Sequence, residues 1–268
     1  MSNTGDMTVL FDRFFDDAAI FPPGNAAMDD AVRAHVAALD SPLARHVGPF
    51  LCSASRLTAL GDALTTADVD GLDLALVTPS GTAAAAIAAA HDDSRLRLRA
   101  VEVSDTEPGD PLPTVPGGTL LLVERPAKTP FDLPPDAALK LRTGGETVDA
   151  FPDEARLASA LADAIEQDLR FKLTAGLHHA VRHTDPATGF EHHGFLNVVL
   201  AVYAALHGSG DLVAWLAERD ASVVAAAVSD LDQAARGHVR SHFLSFGTCS
   251  ITEPIDDLRG LGLLEVAA

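Results

Sequence analysis

Two kinds of hydrophobic pattern alternate along this chain. Short apolar runs predict strands near residues 18–21, 48–52, 72–78, 96–103, 119–124, 138–142, 170–174 and 243–249. Stretches whose apolar positions recur every three to four residues predict helices near 26–39, 55–65, 82–91, 153–166, 194–207, 211–219 and 221–236. Strand-helix alternation favours a parallel sheet covered by helices. Eight strands in roughly 250 residues favour closure into a (β/α)8 TIM-type barrel. We therefore read an α/β fold, with residues 1–268 as a single barrel domain.

The barrel is expected to be irregular. Segment 105–118 carries Pro108, Pro111, Pro113 and Pro116, and segment 126–135 is also proline-rich. Proline removes an amide donor and clashes with the preceding turn. The crossover helices after strands four and five are therefore reduced. By contrast, about 70 residues separate strands seven and eight, room for a long helical insertion.

Strand parity then assigns faces. Alternate residues of a strand share one side. Lys140 and Arg142 therefore point together, as do Lys172 and Thr174, with Leu139, Leu141, Phe171 and Leu173 opposed. The polar set faces the barrel interior. Asp16 and Asp17 are expected just before strand one.

Composition sharpens the reading of those lysines. The chain has three, Lys128, Lys140 and Lys172, against sixteen arginines. A lysine inside an apolar strand is then a choice, and lysine, unlike arginine, can lose its proton when buried. Two inward lysines on neighbouring strands would repel, lowering an amine's pKa toward neutrality and allowing attack on a carbonyl. The plainer alternative is that each pairs with a carboxylate such as Glu102 or Glu124.

Net charge is −19, with 28 aspartates among 38 acidic residues. That argues against nucleic acid and anionic membranes as partners, since both require clustered cations. It fits a GC-rich genome or a salt-adapted host equally well. Cys52 and Cys249 form no disulfide framework. The polar first seven residues carry no signal-peptide pattern, and no apolar run reaches membrane-spanning length. A cytoplasmic setting is expected, with a small anionic substrate as partner and homo-oligomerisation left open.

Three fragments resemble the deoxyribose-phosphate aldolases. Lys140-Leu141-Arg142-Thr143-Gly144 is similar to their K-x-x-T-G stretch on strand six. Lys172-Leu173-Thr174-Ala175-Gly176 is similar to K-x-S-x-G on strand seven, and Gly247-Thr248-Cys249-Ser250 to the G-T-S-S phosphate loop on strand eight. The resemblance implies Lys140 as Schiff-base nucleophile and Lys172 as the lysine that perturbs it. It implies Gly144, Gly176, Thr248 and Ser250 at a phosphate, and Arg142 and Thr174, on the inward face beside the lysines, are expected at the same anionic group. Where that family has an aspartate relay on strand four, this chain has Glu102. The match covers about fifteen residues and does not include the long segment before strand eight.

Five of eleven histidines fall between 178 and 193: His178, His179, His183, His192 and His193. Following strand seven, they are expected at the mouth of the site. His178 and His179 are candidates for acid–base work, and His192 and His193 for anion contact beside a helix start. His178, His179 and His183 are candidate ligands of a divalent metal. No other cofactor is indicated. Cys249 is read as a buried thiol, with His178 or His242 as partner were it a nucleophile. The readings carried forward are a Schiff-base lyase or aldolase acting on a phosphorylated or carboxylated carbonyl compound, a metal-dependent hydrolase or isomerase, and a ligand-binding barrel without catalysis.

Overall fold

The computed structural model describes residues 7–104, 106–107, 109–127 and 131–265. Its strands are β1 (Phe15–Asp17), β2 (Val47–Ser53), β3 (Leu72–Pro79), β4 (Leu96–Ser104), β5 (Leu120–Arg125), β6 (Ala137–Arg142), β7 (Phe171–Thr174), β8 (His183–Thr184), β9 (Glu191–His192) and β10 (Phe243–Thr248). All but β8 and β9 close into one barrel of parallel strands in the order β1-β2-β3-β4-β5-β6-β7-β10, with β10 returning to β1. The TIM-type reading holds.

The helices are α1 (Thr8–Phe11), α2 (Met28–Leu39), α3 (Leu57–Thr66), α4 (Ala83–Asp92), α5 (Glu154–Glu166), α6 (Phe195–His207), α7 (Leu212–Ala217), α8 (Ala221–Ser229), α9 (Gln233–His242) and α10 (Thr252–Gly260). Helices α2 to α5 cross between successive strands. Among the described residues no helix joins β4 to β5 or β5 to β6, as the prolines dictate. Between β7 and β10 come the β8–β9 hairpin and four helices, one more than the three predicted at 194–207, 211–219 and 221–236.

Local chemistry explains the boundaries. Asp153, Asp211, Asp220 and Asp232 each cap a helix by accepting amide hydrogen bonds at its first turn. Some of the aspartate excess is thus structural. Asp232 also explains why the pattern at 221–236 resolves into two helices, since α9 starts afresh there. Gly208 ends α6 in the left-handed conformation at φ 57°, which costs glycine nothing.

The first strand lies earlier than expected. Residues 15–17 pair with Phe246, Gly247 and Thr248 of β10, which puts Asp16 and Asp17 in the strand rather than before it. Residues 18–21 form a turn closed by the Phe21 amide on the Ala18 carbonyl at 2.8 Å. Phe14 and Phe15 are buried against the rings of Phe243, Phe246 and Phe195, with centroids 4.9–5.8 Å apart. Each such ring contributes ~1.5–3 kcal/mol by burial, and this locks β1 onto β10. Inside the barrel the apolar filling is small: Leu51, Ala75, Ala100, Leu122 and Ala138. Buried charged side chains share that interior.

Candidate active site

Register brings the charged residues together. Lys140 on β6 lies opposite Glu124 on β5 and Lys172 on β7. All point inward, as strand parity predicts, because Leu139, Leu141, Phe171 and Leu173 fill the outer core. Glu102 enters from β4 and Asp16 from β1.

The result is a chain of alternating charge across the barrel. Lys172 Nζ is 2.5 Å from Asp16 Oδ2 and 2.5 Å from Glu102 Oε1. Lys140 Nζ is 2.9 Å from Glu102 Oε2 and 3.1 Å from Glu124 Oε2. Arg142 closes the upper end on Glu124 Oε1 at 2.7 Å, and Ser245 Oγ donates to Asp16 Oδ2 at 2.8 Å at the other. Side-chain exposure is 5% for Lys140, 1% for Lys172 and 0% for Glu102. Ions this deep are costly unless paired, and here each has an opposite neighbour.

The carboxylates correct the electrostatics expected for the lysine pair. The two ammoniums do not simply face each other, because Glu102 bridges them. For Lys172, burial opposes the charge, but Asp16 and Glu102 together raise its pKa above the usual lysine value. It is therefore a firmly held ammonium, not a neutral amine. Burial likewise opposes the Glu102 charge, and Lys140 and Lys172 overturn it, holding the carboxyl down at about 2. Glu124 is also lowered: burial opposes its charge, and Lys140 and Arg142 prevail. Asp16 behaves differently. It shares its lysine with Glu102, so burial wins and its pKa is raised. Among the carboxyls of this charge cluster with a resolved shift, Asp16 is the one whose shift favours the protonated form.

The glycine turns after β6 and β7 are occupied with each other. Thr143 Oγ1 donates to the carbonyls of Ala175 (2.6 Å) and Thr174 (3.2 Å). A Cβ on Gly144 would lie 2.9 Å from the Cα and N of Gly176 and from the Phe151 ring. These glycines permit back-to-back packing, and that packing accounts for both of them. The hydroxyls expected at an anion are likewise engaged: Thr248 Oγ1 donates to the Ser250 carbonyl at 2.9 Å, and Ser250 Oγ accepts from the Glu253 amide at 3.2 Å, starting α10. Thr174 is half-buried at the end of β7, beside Gly247.

The histidines divide into three groups. His193 is buried, with Nε2 on the Pro152 carbonyl at 2.8 Å and Nδ1 beside an Arg182 nitrogen at 3.2 Å. A nitrogen facing a carbonyl must carry the proton, so the other accepts from Arg182 and the ring is neutral. Its pKa is lowered, first by burial. His193 therefore positions the start of α6 and has no nitrogen left for a substrate. His183 and His192 pair across the β8–β9 hairpin with ring centroids 5.2 Å apart. His192 Nδ1 is buried without a partner, and both rings have lowered pKa values, led by burial. His179 packs on His183 at 4.7 Å and pairs with Asp257 at 3.1 Å.

His178 has other company. Its Nδ1 is 3.4 Å from Cys249 Sγ and 3.7 Å from a Glu253 oxygen, and the three ligand atoms lie within 4.8 Å of one another. Nitrogen, sulfur and oxygen donors at this spacing suit Zn²⁺. Of the three histidines expected as ligands, His178 alone belongs to this group. The thiol has a raised pKa from burial and Glu253, so without a metal it is a poor nucleophile.

No family model, curated protein or solved structure significantly matches this chain.

Sequence reasoning missed the part played by Asp16 and Ser245, which follows from where β1 starts, and missed Glu253 as a partner of His178. The alternation Leu96-Arg97-Leu98-Arg99 was a further usable signal, since it marks a strand start with one wet face. Among the described residues no helix is long and apolar enough to cross a membrane.

Proposed function

We propose that the interior charge chain is the catalytic centre of a small-molecule enzyme, a lyase in which Lys140 forms a Schiff base with a small carbonyl substrate. The observation that carries this reading is the place of Lys140 Nζ, 2.9 and 3.1 Å from two carboxylates and one carboxylate away from a second, firmly protonated lysine. Perturbed ionisable groups gathered at one place mark functional sites. Glu102 also stands on the fourth strand, where the aldolase resemblance expects its relay acid.

The chemistry balances with these groups. Glu124 takes a proton from Lys140. The freed amine adds to the carbonyl carbon, its proton passes to the carbonyl oxygen to give a carbinolamine, and the carboxyl returns the proton it took to that hydroxyl. Loss of that oxygen as water leaves an iminium, an electron sink for cleaving or forming an adjacent carbon–carbon bond. The Lys172 ammonium favours the deprotonated state of its carboxylate neighbours throughout. A small anionic substrate in a cytoplasmic setting, without nucleic acid or membrane, belongs to the same reading. Net charge −19 and two free cysteines support it.

Borohydride trapping tests it. Protein is incubated with pyruvate, glyceraldehyde or acetaldehyde, reduced, and mapped by mass spectrometry. A stable adduct on Lys140, lost in Lys140→Met, is expected. An adduct distribution unchanged by Lys140→Met, or no adduct from any of the carbonyls, overturns the assignment.

A second reading rests on the trio of His178, Cys249 and Glu253: a metal-dependent hydrolase or isomerase at the barrel mouth. Stoichiometric zinc in tag-free protein, reduced in His178→Ala, would favour it. Metal-free protein that gains no activity on adding zinc would remove it.

A further inference from the structure

A cavity of about 400 Å³ opens at the opposite end of the barrel from the glycine turns. Its lining comes from the beginnings of strands: Asp73 of β3, Arg99 and Ala100 of β4, Leu120 of β5 and Leu244 of β10, with Arg13 just ahead of β1. Its size is at the small end of the range for metabolite pockets.

Arg13 and Arg99 of the lining, joined by Arg97 alongside, gather around one carboxylate. Asp73 is reached by Arg13 at 2.7 Å, Arg97 at 2.7 Å and Arg99 at 3.1 Å. Three positive charges against one leave an excess of two, in a chain whose acidic residues outnumber basic ones by 38 to 19. The three guanidiniums are about half exposed. Each meets Asp73 through a single nitrogen, so the rest of its donor fork is open to a further anion. Asp73 thus holds the arginines in place and is itself kept ionised. Burial opposes its charge, and hydrogen bonds from Arg97 and Arg13 lower its pKa. Deeper in, Leu120, Leu122, Leu244 and Pro49 make an apolar wall, and Asp16 and Ser245 form a polar floor.

We propose that this N-terminal mouth binds a small organic acid, its oxyanion head on the arginine rim and a short apolar body in the cavity. The class follows from the lining. Arginine forks match carboxylate and phosphate oxygens, and the leucines accept a chain of a few carbons. This site does not depend on Schiff-base chemistry at Lys140. Because Asp16 forms both its floor and the lower end of the charge chain, an occupant also lies one residue from Lys172.

Titration calorimetry on the full chain at low salt tests the proposal with hexanoate, hexyl phosphate, inorganic phosphate and 1-hexanol. One or both organic anions bind at one site per chain, and inorganic phosphate and hexanol bind at least tenfold more weakly. Hexanoate against hexyl phosphate tells which head group the rim prefers. Arg99→Gln weakens binding at least tenfold, and Arg33→Gln, which removes one charge on α2, leaves it unchanged. Arg13→Gln serves in place of Arg99→Gln if circular dichroism finds that variant unfolded. The proposal fails if neither organic anion binds, if the rim variant binds like the parent, or if inorganic phosphate binds as tightly as hexyl phosphate.

Discussion

Replacing Glu102 by glutamine keeps the side-chain shape and removes the one negative charge between two ammoniums. Its carboxylate lies 2.5 Å from Lys172 and 2.9 Å from Lys140. The fall of its pKa from 4.5 to about 2 already sets burial against the lysines. At 1.36 kcal/mol per unit it is worth about 3 kcal/mol. Breaking one partner out of a buried ion pair typically costs about 3–5 kcal/mol, so the two routes agree. The sign with pH follows from the depressed value: the wild-type advantage is complete above pH 4.5 and disappears as pH falls toward 2. Urea denaturation of Glu102→Gln and wild type at pH 7, 5, 3.5 and 2.5 measures it. We expect a gap of about 3 kcal/mol at pH 7 that shrinks over the last two points. A gap under about 1 kcal/mol at neutral pH would mean that the lysines do not depend on Glu102. A gap independent of pH would mean that its charge is not the cause.

Two further outcomes follow from the same geometry. Gly144→Ala forces a Cβ within 2.9 Å of Gly176 and Phe151; it should lose about 1–3 kcal/mol in denaturant melts and slow any labelling of Lys140, whereas Gly81→Ala, with nothing within 4 Å, should do neither. The raised pKa of Lys172 contributes stability that is whole below pH 10.5 and is lost as pH rises through the higher folded value; Lys172→Met, followed by circular dichroism from pH 7 to 12, should be less stable at neutrality and lack that alkaline loss.

Much of this arrangement could be read from single residues. The alternation Lys140-Leu141-Arg142 and Phe171-Lys172-Leu173-Thr174 assigns inner and outer faces because a strand has only two. The prolines after β4 and β5 exclude helices there because proline cannot supply the amide. What failed had a different cause. β1 is three residues long, and Arg13-Phe14-Phe15-Asp16-Asp17 has no clean alternation, because both phenylalanines are buried while Asp16 is held by partners more than 150 residues away. Capping aspartates divide α8 from α9 inside one apolar period. The glycine turns looked suited to an anion because glycine fits several uses, and only the close approach of Gly144 to Gly176 tells which one applies. The grouping of His178 with Cys249 and Glu253 joins segments more than 70 residues apart, beyond any local pattern.

The charge chain has a consequence for how this protein meets salt. Lys140, Lys172 and Arg142 balance Asp16, Glu102 and Glu124, three against three. The whole imbalance of −19 therefore belongs to the remainder of the molecule. At physiological ionic strength charges are screened over about 8 Å of solvent, which relaxes repulsion among exposed aspartates but does not penetrate the packed interior. Adding salt is therefore expected to raise the melting temperature while leaving the ionisation of Lys172, Glu102 and Glu124 nearly fixed. The barrel separates two electrostatic environments, an outside that responds to the medium and a centre insulated from it.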